Sequence, residues 1–117
     1  VLQPEEWVRQ HVVRFLIEHK KYPKSLINVE KQLILNGIKK RYDIVIFNSD
    51  GSIFLLVECK APKITIKQET FDQIARYNIN LDAEYLMVTN GLTHYYCKMN
   101  MIEENYTFLK EIPDFSR

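Results

Sequence analysis

The sequence predicts an α/β fold, a mixed central sheet flanked by helices, with elements in the order α-β-β-β-α-β-β. Two runs, Arg41–Phe47 and Ile53–Lys60, flank the turn signal Asn48-Ser-Asp-Gly-Ser52 and read as a β-hairpin. Ile53–Val57 is apolar at every position, which places that strand mid-sheet with both faces covered. Stretches with helical apolar spacing lie before and after the hairpin and supply the cover.

Pro4 to about Lys20 is the first of these. Pro4 suits the first helical position, and Glu5 and Glu6 suit the positive end of the helix dipole. Val8, Val12, Phe15 and Leu16 form the buried stripe. At ~100° per residue Glu5 falls on that stripe, Arg9 on its edge and Glu6 well off it. Glu5 thus reads equally as a first-turn dipole residue or as a functional carboxylate. Ile27–Leu35 reads as a strand, and Asn36-Gly37 as a turn. Lys39-Lys40-Arg41 reads as a solvated loop, with a phosphate contact as the competing reading.

Pro62 ends the strand that carries Glu58 and Lys60, because proline cannot donate to the ladder. A loop over residues 63–67 leads to a helix from Gln68 to about Leu81, whose inward stripe is Phe71, Ile74, Ala75, Asn78 and Leu81. Gln73 and Tyr77 share one flank of it; taken alone they read as a surface glutamine and a half-buried tyrosine. Tyr85–Thr89 and His94–Met99 are strands, the first joining parallel to an inner strand by a crossover, the second nearer an edge. His94 reads as a rim residue. The tail after Met101 adds a short strand at Tyr106–Leu109.

The 117 residues suit one domain, 1–117, with room for a real core; beginning on Val, the chain is also open to being a fragment. No apolar run approaches the ~20 residues of a membrane span, and no signal-peptide pattern opens the chain. Cys59 and Cys97 fit neither a disulfide framework nor a zinc motif, so a reducing cytoplasm is the expected location. A net charge of +1 neither demands nor excludes nucleic acid.

The chemistry concentrates in Asp43 and in Glu58-x-Lys60. Charge at the end of a core strand is costly unless paired or metal-bound. Alternation puts Glu58 and Lys60 on one face and Cys59 on the other. Asp43 and Glu58 can offer carboxylate oxygens to Mg²⁺, with the Cys59 backbone carbonyl as a third donor and Glu5 as a further one, direct or through water. Lys60 can orient the attacking water and stabilise developing charge. The bland alternative is a structural Asp/Glu/Lys salt-bridge cluster.

These residues resemble a known family. The element order with Asp43 and Glu58-x-Lys60 looks like the restriction-endonuclease-like PD-(D/E)xK fold. More closely, Pro4-Glu-Glu-x-Val-Arg9, Lys40-Arg-x-Asp43, Val57-Glu-x-Lys-Ala-Pro62, Gln73-x-x-x-Tyr77 and Thr89-Asn-Gly91 resemble the N-terminal endonuclease domain of type I restriction-enzyme R subunits, from about Pro4 to Met99. The resemblance implies a Mg²⁺-dependent endonuclease, with Mn²⁺ able to substitute, acting on double-stranded DNA. It makes Asp43, Glu58 and Lys60 the catalytic core and Glu5 the helix-borne acid near the metal. Gln73 and Tyr77 become residues that support the site or touch DNA. Helicase, modification or specificity subunits of a restriction system are the implied partners. Tyr42 stands where the family usually has proline, and the chain carries no P-loop, helicase motor or methyltransferase. The alternatives are a catalytically inactive nucleic-acid-binding module and a regulatory domain that keeps the fold.

Overall fold

The computed structural model describes residues 3–35, 37–100 and 102–115. Two helices, α1 (Pro4–Glu18) and α2 (Gln68–Asn78), pack on a six-stranded sheet of β1 (Ile27–Leu35), β2 (Ile38–Phe47), β3 (Ile53–Cys59), β4 (Tyr85–Thr89), β5 (His94–Asn100) and β6 (Asn105–Leu109). The strands lie in chain order, β1 to β6. Among the described residues only β3 and β4, joined through α2, run parallel; every other neighbouring pair is antiparallel. This is the expected mixed sheet, with the hairpin of β2 and β3 inside it and both of its faces covered.

Strand alternation sorts the core into two layers. Ile44, Ile46, Leu55, Val57 and Met87 pack with Val8, Val12 and Leu16 of α1. Val45, Leu56, Leu86 and Val88 pack on the opposite face with Phe71 and Ala75 of α2 and Ile79 beyond it. The two-faced apolar run in β3 is thus what lets one strand serve both layers.

Several boundaries differ from expectation. α1 stops at Glu18, and Lys21 takes a left-handed φ of 60° as the chain turns. α2 stops at Asn78; Ile79–Leu81 continues as a 3₁₀ turn closed by left-handed Asp82. Lys39, Lys40 and Arg41, read as a solvated loop, are part of β2, because that strand pairs with β1 from Leu35↔Ile38 onward. β5 lies nearer an edge as expected, next to the edge strand β6. Asn36 of the expected turn and Met101 at the head of the tail lie outside the described residues. Among the described residues no helix is long and apolar enough to cross a membrane.

Tyr42 is fully buried on the α2 side, where its hydroxyl donates to Asn78 Oδ1 at 2.8 Å. Burial is the main reason its phenol is pushed up to about 12, with the Glu58 charge adding to it. Tyr42→Phe strands the buried Asn78 oxygen. The expected cost, read by denaturant unfolding, is about 1–3 kcal/mol.

Cys59 and Cys97 are free and buried, Cys59 in the layer beneath α1. Burial raises both thiols, Cys97 to about 12. The thiolate is the reactive form, so a thiol reagent at mildly alkaline pH should label the native protein slowly and the unfolded chain at once. The sign for stability follows: the Cys97 contribution is whole below the ordinary thiol value of 9.0 and is lost as pH climbs from there through about 12.

Candidate active site

The site forms where β2 and β3 part. Their ladder runs from Phe47↔Ile53 to Ile44↔Val57 and stops there, one pair short of Asp43 and Glu58. On the other side of β2, pairing with β1 holds at Val29↔Ile44 and at Lys31↔Tyr42 but skips Glu30 and Asp43 between them. Glu30 has a positive φ of 52°, a conformation rare for a residue with a side chain. Such irregularities re-aim side chains. Here the rotation sends Tyr42 into the α2 layer while Ile44 stays in the α1 layer. Asp43, between them, is freed from the sheet face, and its Oδ2 accepts the Cys59 backbone N–H at 2.7 Å. A carboxylate thus replaces the backbone acceptor that the parted ladder no longer offers.

The Cys59 carbonyl follows from peptide geometry. Lys60 N–H donates to the Thr89 carbonyl of β4 at 2.8 Å, and the chain has no cis peptide among the described residues. In a trans peptide N–H and C=O point opposite ways, so the Cys59 carbonyl faces away from β4, toward the gap beside Asp43.

Glu58 is held by Lys40, whose Nζ lies 3.2 Å from Oε2. The Lys40 ammonium also stands over two rings, Tyr42 at 4.7 Å and Tyr77 at 4.5 Å. Burial raises the Glu58 carboxyl above its ordinary value; Asp43 pushes the same way, while Lys40 and Lys60 oppose. Asp43 and Lys60 thus each act on the Glu58 charge.

The N-terminus of α1 closes one side. Glu5, Glu6, Arg9, Glu30, Arg41 and Asp43 line a cavity of ≈ 290 Å³. Arg9 pairs with Glu6 and, at 2.8 Å, with Glu30. Burial lowers the Arg9 guanidinium most, yet its bonds to Glu30 and Glu6 together outweigh that and leave it raised. Glu6 is thus committed to Arg9, while Glu5 is exposed on the cavity wall.

Thr89-Asn-Gly91 is structural support. Buried Asn90 donates from Nδ2 to the Ile64 carbonyl at 2.8 Å and so pins the loop that follows Lys60. Its Oδ1 caps Leu92 and Thr93 N–H, and Thr89 Oγ1 accepts from Gly91 N–H. Gly91 has φ +89°, and a Cβ there would stand 3.2 Å from Val8 of α1, so glycine is required for this turn to lie under α1. A second cavity of ≈ 280 Å³, lined by Trp7, His11, Phe15, His94 and Tyr96 among others, has no carboxylate on its wall. Gln73 is exposed, one turn before Tyr77 on α2.

Sequence reasoning gave Lys40 a solvated or phosphate-contact role rather than its pairing with Glu58, quoted Asn90 without a role and left Glu30 out of the site. Lys40 shares a strand face with Tyr42, a relation that a loop reading of residues 39–41 conceals. Glu30 had no signal, because a left-handed glutamate within a strand leaves no pattern.

Among the described residues no three His, Cys, Asp or Glu side chains gather as a metal-binding group. The available donors are the Asp43 and Glu58 carboxylates and the Cys59 carbonyl, each carboxylate with one oxygen already engaged. That hard, sparse set suits Mg²⁺ or Mn²⁺, ions that keep several of their waters and take one or two protein carboxylates.

A family model described as "Type I restriction enzyme R protein N terminus (HSDR_N)" matches residues 4–113. No curated protein matches the chain. Among solved structures the chain is similar to the fragment structure assigned to an HsdR subunit of a type I restriction enzyme from Vibrio vulnificus YJ016. The TM-score is 0.61 at 19% identity, over 96% of this chain and 24% of that one. That likeness speaks to the fold.

Proposed function

Because the chain belongs to the family of type I restriction enzyme R protein N termini, we propose that it is a Mg²⁺-dependent endonuclease domain that hydrolyses phosphodiester bonds of double-stranded DNA, with Mn²⁺ as a substitute. One observation supports this above the rest. The parted β2 and β3 ends put Asp43 on the Cys59 N–H, immediately beside Glu58 and Lys60.

The Asp43 and Glu58 carboxylates and the Cys59 carbonyl are the groups that would hold the ion. When bound, the ion supplies charge neutralisation at the phosphate and a more acidic water. Lys60 is not a ligand; it orients the attacking water and balances charge developing on the phosphate. Its position is fixed through its own N–H on Thr89 and through Asn90, which ties down the following loop. Partial burial around Glu58 strengthens these interactions relative to open water. Glu5 adds a carboxylate through water, and Gln73 and Tyr77 support the site or meet DNA from α2. The chain covers a quarter of the length of its structural neighbour, so helicase, modification and specificity partners belong to the same proposal.

A non-catalytic nucleic-acid-binding module is the second reading. It is favoured by the Lys40 ion pair, which already neutralises Glu58. Supercoiled plasmid distinguishes the two. The nuclease reading expects open-circular product with Mg²⁺ or Mn²⁺ and none with EDTA. Retarded but uncut plasmid under both conditions would favour the binding module.

A further inference from the structure

Lys40 is a cation lodged where the nuclease reading needs a different one. Its ammonium is 3.2 Å from Glu58 Oε2 and lies between the faces of Tyr42 and Tyr77, at 4.7 and 4.5 Å. The Lys40 side chain is 30% exposed and that of Glu58 15%, so the pair is partly desolvated. An uncompensated carboxylate in such a place, with Asp43 nearby, is costly. A lysine held over two aromatic faces is a ready source of compensation. The two rings come from different elements. Tyr42 is locked by its own hydrogen bond to Asn78, whereas Tyr77 is 47% exposed on α2 and packs its ring face on the ammonium.

We propose that Lys40 is the built-in counter-cation of Glu58, which an incoming divalent ion must displace, and that Tyr77 is a positioning residue acting through Lys40. This rests on the nuclease reading of the site. It also explains Tyr77 by its ring rather than its hydroxyl. The ring face is what meets the ammonium, so phenylalanine can replace tyrosine there and alanine cannot.

The test compares wild type with Lys40→Met, Tyr77→Phe and Tyr77→Ala. Two quantities are read: Mn²⁺ affinity by calorimetry without DNA, and the upfield ring-current shift of the Lys40 side-chain methylene protons by NMR without metal. Removing the competing cation should tighten Mn²⁺ binding by at least about 5-fold, the upper end for an exposed ion pair and so a floor for this partly desolvated one. Tyr77→Ala should move affinity in the same direction and reduce the Lys40 shift. Tyr77→Phe should keep both at wild-type values. Unchanged or weaker Mn²⁺ binding in Lys40→Met, with wild type binding normally, overturns the proposal alone. So does Tyr77→Phe behaving like Tyr77→Ala. Mn²⁺ binding that is absent in wild type but appears in Lys40→Met supports the proposal. Absence of binding in all four proteins, with a DNA duplex added as well as without, overturns the nuclease reading, and the displacement of Lys40 with it.

Discussion

Asp43→Asn is expected to abolish Mg²⁺-dependent nicking and leave the fold intact, whereas Asp43→Ala is expected to abolish nicking and lower stability as well. The two variants separate the two tasks of this carboxylate. One oxygen accepts the Cys59 N–H at 2.7 Å where the β2–β3 ladder has ended. Asparagine can still accept that bond through its amide oxygen. Alanine cannot, and a lost bond to a charged acceptor costs about 1.5–3 kcal/mol. Both variants remove the negative charge that a divalent ion needs, so metal affinity should fall by about 10²-fold or more in each. Calorimetry with Mn²⁺ and thermal unfolding in EDTA are the paired measurements. Wild-type nicking by Asp43→Asn would remove Asp43 from the site.

Lys60→Met is expected to show the opposite separation: metal binding kept, cleavage lost. The Lys60 backbone, not its side chain, holds the strand end through the Thr89 carbonyl, so the substitution leaves that hydrogen bond in place. Methionine retains the length and apolar stem and removes only the ammonium. Loss of a group that manages the water's proton typically lowers the rate by about 10²–10⁴-fold. Glu58 would also lose one of the positive charges that oppose its raised carboxyl value, which shifts the acid limb of the remaining activity toward higher pH. Single-turnover nicking beside Mn²⁺ calorimetry reads both effects. Loss of metal affinity equal to that of Asp43→Asn would make Lys60 part of the ion's binding rather than of the chemistry.

The hairpin was legible because its signals are local. An Asp-Gly turn and a run apolar on both faces state a central strand whatever the rest of the chain does. The helix faces were legible from spacing, and Val8, Val12 and Leu16 are buried as that spacing implies. Glu58 and Lys60 stood out because charge at the end of such a strand is unusual. The details around them were not legible, because they depend on where pairing fails. Alternation would put Tyr42 with Ile44 and Ile46, yet the skipped pair at Glu30 and Asp43 turns Tyr42 to the other face. Nothing in the residues 39–41 told a loop from a strand, since three basic residues suit either at a sheet margin. That Arg9 pairs with Glu6 and Glu30 was equally illegible, because those partners meet only in the folded chain.

Metal-dependent cleavage requires Asp43, Glu58 and the Cys59 carbonyl to form one divalent-ion site. Titration of Mn²⁺ and of Mg²⁺ into the protein, with and without a DNA duplex, tests that directly. The predicted result is one bound ion per chain, lost in Asp43→Asn, kept in Lys60→Met and matched by nicking only in wild type. Absence of binding by either ion, even with DNA present, would contradict it.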